Sequence, residues 1–302
     1  MGYKKRTKSL DTRLVHEGSH PERFDGAVNP PIFRVSTVAS ANVEEMRHRS
    51  KHPPGILAYG RAGTPTHWAL QEAIADLEGY KHCLALPSGL AGVATTILGL
   101  CSSGDHVLVA DNVYGPIRLL CCERLSEWGL ETELFDPGIG EGISKLIHPN
   151  TKLVIIESPG SLTFDITDIP AVAKAAHEKN VLVAADNTWA TPVLIDAPSL
   201  GIDISIHSGT KYIGGHSDVA VGTLSLDDDD LHHRLRWTAI LFGYGLSPDD
   251  AYLALRGLRT LGVRLKRHYE NTMKVAQWLQ DRPEIRRVMY PALPSDPGHD
   301  IW

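Results

Sequence analysis

A chain of 302 residues, 42% of them hydrophobic, can bury one large core and part of a second, which excludes intrinsic disorder. Its formal charge of -6 and pI near 6.2 leave no electrostatic footprint for nucleic acid beyond the short basic arm Lys4, Lys5, Arg6 and Lys8, which reads as a solvated terminus. The four cysteines (Cys83, Cys101, Cys121, Cys122) show no CxxC spacing, and there is neither a leader nor a membrane-spanning apolar run, so the sequence predicts a cytoplasmic protein with no membrane partner.

Residues 1–58 carry little periodicity and are interrupted by Pro21, Pro30, Pro31, Pro53 and Pro54, which predicts an extended arm wrapping something larger than its local fold, such as a partner subunit. From Thr66 the pattern turns regular. Leu70, Ile74 and Leu77 mark a helical face ending near Gly79, and Leu90, Val93, Ile97 and Leu100 mark another ending near Gly104. Strand-like HVLVAD (106–111), KLVIIES (152–158) and VLVAAD (181–186) then alternate with helix-like PIRLLCCERLSEWG (116–129) and IPAVAKAAHEKN (169–180). Alternation predicts an α/β fold with a mostly parallel sheet, and the continuous apolar strands put helices on both faces. VAVGTLSL (219–226) adds a β-rich stretch, and one long helical pattern runs from about Asp249 to Leu279. After Pro283 the run IRRVMY reads as a new strand, and the chain stops at Trp302 before any closing element. The acidic run Asp227 to Asp230 lacks the glycine and spacing of a calcium loop and reads as a solvated turn.

In a parallel sheet ligands bind beyond the carboxyl ends of the strands, so the polar residues just past each apolar run are the candidates. Asp186 ends VLVAAD and opens NTWATP; a carboxylate there can serve a ligand or merely cap a turn. Lys211 sits in SIHSGTKYIGGHSD among Ser208, Gly209, Thr210, Gly214 and Gly215, without the charged company of a surface lysine, and a partly desolvated amine there could form a Schiff base with an aldehyde. LPSGLAG (86–92) runs from a strand end through Ser88 and Gly89 into a helix whose free amides favour a phosphate, although an N-cap serine explains the segment equally well. In AYGRAGTPTHWAL (58–70), Tyr59 and Arg61 would point the same way from an extended chain and offer a hydroxyl and a guanidinium to one anion. The glycines of DPGIGEG (136–142) miss the dinucleotide fingerprint. His207, His216, His232 and His233 show no paired-ligand spacing, so no metal is expected.

Taken in order, YGRAGTPT, LPSGLAG, VYGP, ESPGS, ADNTWATP, SIHSGTKYIGGHSD, LRGLRTLGVRLKRH and YPALPSDPGH resemble the Cys/Met-metabolism family of fold type I pyridoxal-phosphate enzymes over essentially the whole chain. Gly60, Thr64 and ESPGS resemble its bacterial cystathionine β-lyase branch rather than the YSRxxNPT and ESPxNP of the γ-synthases and γ-lyases. The resemblance implies pyridoxal 5'-phosphate on Lys211, with Asp186 at the pyridinium nitrogen and Tyr114 stacked on the ring. It also implies a phosphate cup of Gly89 and Leu90 amides with Ser88, Ser208 and Thr210, and Tyr59 and Arg61 reaching in from a neighbouring subunit of a homodimer or homotetramer. The activity it implies is cleavage of cystathionine to homocysteine, pyruvate and ammonia, the alternatives being another reaction of the family, such as cysteine desulfhydration, γ-synthesis or γ-elimination, or a catalytically silent cofactor-binding fragment. The domain organisation it implies is an arm (1–58), a cofactor-binding large domain (59–247), a connecting helix (248–282) and the start of a small domain (283–302) that reads as truncated, lacking the arginine that anchors the substrate carboxylate.

Overall fold

The computed structural model describes residues 8–302, so Lys4, Lys5 and Arg6 of the basic arm lie outside the described residues. Helix α1 (Leu10–His16) is capped by the Ser9 hydroxyl and α2 (Val43–Arg49) by the Asn42 side chain, each accepting a free N–H of the first turn. Helix α3 (Pro65–Glu78) starts on a proline and a Thr64–His67 capping box and stops at Gly79, whose φ of 90° is the left-handed region that glycine tolerates. There follow β1 (His82–Leu86), α4 (Gly89–Leu100), β2 (His106–Ala110), α5 (Gly115–Leu119), β3 (Glu131–Phe135), β4 (Thr151–Glu157), α6 (Ile169–His177), β5 (Leu182–Asp186), α7 (Thr191–Leu194) and β6 (Ile204–Ser208). The chain continues through β7 (Gly222–Leu226), α8 (Asp229–Leu241), α9 (Pro248–Leu258) and α10 (Leu261–Gln280).

These elements group into two compact units. The first holds the residues up to Ala91 together with Ser208–Gly262. In it β1 and β7 pair antiparallel from His82↔Leu226 to Leu86↔Gly222, and α3 lies against both strands and against α9. The second unit holds Gly92–His207 and Val263–Trp302. Its strands are all parallel, in the order β6-β5-β4-β2-β3. Val107, Leu108, Val109, Leu153, Val154, Val183 and Ala184 are fully buried, as expected of strands covered on both faces. No helix among the described residues is long and apolar enough to cross a membrane.

Four sequence expectations are corrected. The helix expected over 116–129 survives only as α5; a π-type turn (Leu120–Leu125) and a 3-10 turn (Ser126–Trp128) follow, because the Ser126 hydroxyl donates to the Cys122 and Glu123 carbonyls and competes with regular helix bonding. The single pattern over 249–279 is two helices. Thr260 turns both its N–H and its hydroxyl onto the Gly257 carbonyl, while Arg259 is held by Ser19 and Asn29, and the helix breaks there. IRRVMY forms no strand: Tyr290 gives its N–H to Asp296, and Tyr290 and Leu293 bury beside Ala276 of α10 with Trp189, Met273 and Val288 packed on them. The acidic run is a helix start rather than a turn, since Asp228 caps α8 and Asp229 pairs with Lys81 and His82.

Within the first unit α9 rests on the backbone of the turn after β6, and glycine makes this approach possible. A Cβ on Gly257 would run into the carbonyl oxygens of Ile213 and Gly214. Gly257→Ala should therefore cost about 1–3 kcal/mol in urea unfolding, the usual penalty of overpacking. Gly115→Ala, where a Cβ would meet nothing within 4 Å, should stay within about 0.5 kcal/mol. Equal losses would show that the close approach is not what matters.

Candidate active site

The first unit contributes three segments. Beyond Ser208, the last residue of β6, the chain turns at once: Lys211 N–H bonds the Ser208 carbonyl at 3.0 Å, Gly214 N–H the Gly209 carbonyl at 2.7 Å and Gly215 N–H the Lys211 carbonyl at 2.8 Å. The Lys211 side chain is exposed, not partly desolvated as the sequence suggests. The amino end of α4 lies directly on Ser208, since a Cβ on Gly89 would come within 2.8 Å of Ser208 Cα and Cβ. Ser88 is the N-cap, its hydroxyl accepting the Ala91 N–H at 3.1 Å, and Leu90 is exposed in the first turn. The Thr210 hydroxyl is engaged, donating to the Val221 carbonyl (3.2 Å) and accepting its N–H (3.0 Å).

Tyr59 is extended and bridges Thr37, but Arg61 is not extended. Arg61 lies in a one-turn 3-10 helix (Gly60–Ala62) preceded by Tyr59, and its guanidinium donates to the Ile240 carbonyl. The pair still comes together, with the guanidinium carbon 5.9 Å from the centre of the exposed Tyr59 ring.

Asp186 and Tyr114 lie in the second unit, with partners that the sequence did not single out. Asp186 ends β5 in register with Glu157 at the end of β4. Thr188 donates its N–H (3.1 Å) and its hydroxyl (2.5 Å) to Asp186 Oδ1, leaving Oδ2 for a ligand. Desolvation raises the Asp186 carboxyl above its ordinary range, with the Thr188 bonds and nearby His207 pulling the other way. Glu157 Oε2 accepts the Tyr114 N–H at 2.7 Å, and the Tyr114 side chain is exposed at the head of α5. Buried Asn187 Nδ2 and Asn112 Oδ1, which follow β5 and β2, have no hydrogen-bond partner, and the Gly160 backbone packs on the Asn112 side chain. Glu157 and His207 could have been found by applying to ESPGS and SIHSGT the same strand-end test that found Asp186.

Burial, and after it the Asp186 charge, pushes Glu157 up to about 8 from an ordinary 4.5. The folded protein then holds a proton across this window that the unfolded chain releases, so the contribution to stability is largest at low pH and is lost as pH rises towards 8. In cofactor-free protein the stability of wild type relative to Glu157→Gln should accordingly fall by on the order of 1 kcal/mol between about pH 5 and about pH 8, after discounting for partial solvent exposure. A pH-independent difference in urea titrations would remove the coupling.

Residues 11–302 match the family model of the Cys/Met metabolism PLP-dependent enzymes. The chain is 44% identical over 298 residues to cystathionine beta-lyase MetC of Escherichia coli K12, covering 98% of this chain and 75% of that protein. It is likewise 44% identical over 298 residues to cystathionine beta-lyase of Salmonella typhimurium LT2, with the same coverage. The crystal structure of metB from Corynebacterium glutamicum superposes with a TM-score of 0.92 at 37% identity, over 98% of this chain and 75% of that one. The α/β fold is thus that of a fold type I enzyme, and the chain belongs to the Cys/Met metabolism family of enzymes that depend on pyridoxal 5'-phosphate.

Proposed function

We propose that this chain is a carbon–sulfur β-lyase that cleaves cystathionine, with one water, to homocysteine, pyruvate and ammonia. The observation that carries the reading is the pair of carboxyl groups ending β4 and β5 in register, Glu157 and Asp186, both raised by desolvation. Such a pair is relieved by a cation, and a protonated pyridine nitrogen is one of suitable shape. The phosphate has a matching receptor in the first turn of α4, where free amides and the positive end of the helix dipole meet Ser208. The residues therefore fit the cofactor. The choice of a β-lyase over other family reactions is supported by the relatives of that name from five bacteria at 39–44% identity.

When bound, the cofactor supplies an electron-withdrawing ring at the substrate Cα. Asp186 Oδ2 holds the proton on the ring nitrogen, and Thr188 fixes the carboxyl by its other oxygen. Lys211 would hold the cofactor through its aldehyde carbon, and its amine, once displaced by the substrate amine, would take the Cα proton and return one to the sulfur as the Cβ–S bond breaks. Tyr114 offers its exposed ring as a stacking face, its backbone held by Glu157. Gly89 and Leu90 amides with Ser88, Ser208 and Thr210 receive the phosphate, Thr210 by releasing its hydroxyl from Val221. Tyr59 and Arg61 serve the phosphate of a neighbouring subunit, so a homodimer is the minimal active unit and a homotetramer is compatible with it.

We further assign 1–58 as an arm, 59–247 as the cofactor-binding large domain, 248–282 as a connecting helix and 283–302 to a C-terminal small domain. That the cysteines form no disulfide among the described residues accords with a cytoplasmic setting.

Asp186→Asn should retain bound cofactor while kcat for pyruvate release from cystathionine drops about 10²–10³-fold, the range for losing one preorganised electrostatic contact. Near-normal kcat would defeat the assignment. Mixing two inactive proteins, Arg61→Ala and Lys211→Ala, should restore part of the activity, because each hybrid dimer holds one site with both native contributions. No recovery despite proven subunit exchange would return Tyr59 and Arg61 to their own subunit.

A further inference from the structure

His106, Glu133 and His148 are far apart in sequence, and none of them belongs to the site described above. The fold of the second unit brings one ligand atom from each within 4.8 Å of the others. His106 is the first residue of β2 and is buried; Glu133 lies in the middle of the neighbouring strand β3; His148 is exposed in the segment leading into β4. Along β2 the strand rises about 3.3 Å per residue, which puts His106 roughly 13 Å from Ala110, at the opposite end of the sheet from the strand-end carboxylates.

The spacing is that of a coordination site rather than of hydrogen bonding. His106 Nε2 and Glu133 Oε2 are 3.6 Å apart, too far for a hydrogen bond. Two ligands at Zn–N and Zn–O lengths of about 2.0–2.2 Å span that gap at an angle of roughly 115–125°, close to tetrahedral. The His148 ring lies on the His106 ring, 4.7 Å between centres and 24° between planes. His148 is exposed, so its ring is free to turn about its side-chain torsions and aim a nitrogen at the same point.

The supporting contacts hold the donors in place. Thr151 Oγ1 lies 2.8 Å from His106 Nδ1, so a Nδ1–H can donate to it and free Nε2 for a cation, the arrangement that metal-bound histidines use. The same oxygen accepts the His148 N–H at 2.8 Å, the Thr151 N–H returns to the His148 carbonyl at 3.1 Å, and His106 N–H bonds the Asn150 carbonyl at 2.9 Å. Asn150 Nδ2 ties the segment to Gly104 O (2.9 Å) and to Glu131 (3.0 Å) on β3. One threonine thus orients one ligand and anchors the backbone of another. Two imidazoles and a carboxylate, with solvent at the fourth position, suit a divalent first-row transition cation, Zn²⁺ above the oxygen-seeking Mg²⁺ and Ca²⁺.

We propose that His106, Glu133 and His148 form a structural site for a divalent transition cation, which clamps β2, β3 and the segment before β4. The proposal does not depend on the lyase reading.

The test uses cofactor-loaded protein stripped with a chelator, then titrated calorimetrically with Zn²⁺, and with Co²⁺ as a spectroscopic substitute. Wild type should bind one Zn²⁺ per chain with a thermal midpoint raised by several degrees, and Co²⁺ should give the intense visible bands of a tetrahedral site. His148→Ala and Glu133→Ala, both at solvent-accessible side chains, should each weaken binding at least tenfold and abolish the thermal shift. Their metal-free melting and cofactor absorbance should stay as in wild type. Absence of stoichiometric binding in wild type would overturn the proposal. So would binding that both variants retain, as metal held at the His82–His232–Asp229 cluster or at a cysteine would be. Should a variant melt early without metal, the Co²⁺ spectrum of wild type decides: bands without histidine nitrogen coordination by electron spin-echo overturn it equally.

Discussion

Glu157 and Asp186 stand side by side at the carboxyl ends of two strands whose preceding residues are almost wholly buried. Two carboxylates so placed cannot both ionise cheaply, because the surroundings withdraw water and each raises the other's proton affinity. The neighbouring contacts respond to this constraint. Thr188 gives two hydrogen bonds to one oxygen of Asp186, and the Tyr114 amide gives one to Glu157. These contacts hold the carboxyls in position without neutralising them, so the remaining compensation comes from a proton kept on Glu157, or from a cation where one is bound. The electrostatic deficit of the strand ends is what a pyridine nitrogen needs in order to stay protonated and draw electrons.

A second constraint operates through backbone proximity in the first unit. The amino end of α4 can reach Ser208 only because residue 89 has no side chain, and Gly222 on β7 is equally tight against the Ser88 carbonyl. Helix α9 leans on the turn carrying Lys211 through Gly257. Glycine at these points lets main-chain amides, rather than long side chains, form the anion receptor, and main-chain donors bring little conformational entropy to lose on binding. The exposed Lys211, by contrast, has its backbone fixed by the turn while its side chain reaches solvent, which would leave the amine the freedom that the proposed proton transfers require.

Much of this was legible in the sequence, for identifiable reasons. Buried parallel strands are continuous apolar runs, so HVLVAD, KLVIIES and VLVAAD located β2, β4 and β5 to within a residue, and the polar residue closing VLVAAD was Asp186. Lys211 stood out because its neighbours are small. Glu157 closes KLVIIE as Asp186 closes VLVAAD and was within reach of the same test, but its pairing with Asp186 comes from the strand beside it, and lateral pairing leaves no local mark. The same holds for the break at Thr260, made by a side chain bonding back to Gly257 within an unbroken helical pattern, and for IRRVMY, whose Val288 and Tyr290 serve a cluster with α10 instead of a ladder. Scanning histidines for short spacings likewise passed over His106 and His148, which meet only through the order of β2, β3 and β4.

That order also explains why the amino end of the sheet would benefit from a clamp. In the second unit β3 is the edge strand, paired on one side only, to β2. An edge exposes unpaired amides and carbonyls and is the part of a sheet most prone to fray or to recruit a foreign strand, and charged side chains are a common defence. Glu131 and Glu133 supply such charges on alternate positions of β3, and Asn150 already ties Glu131 to the segment before β4. Glu133 lies beside two imidazoles, and a cation there would turn a merely repulsive edge residue into a cross-link spanning the edge strand, its neighbour and the following connection. The carboxyl pair proposed to serve the cofactor at one end of the strands and a histidine-rich clamp at the other would then divide the labour along the parallel sheet of the second unit, chemistry where the strand ends are under electrostatic strain and cohesion where the edge is least supported.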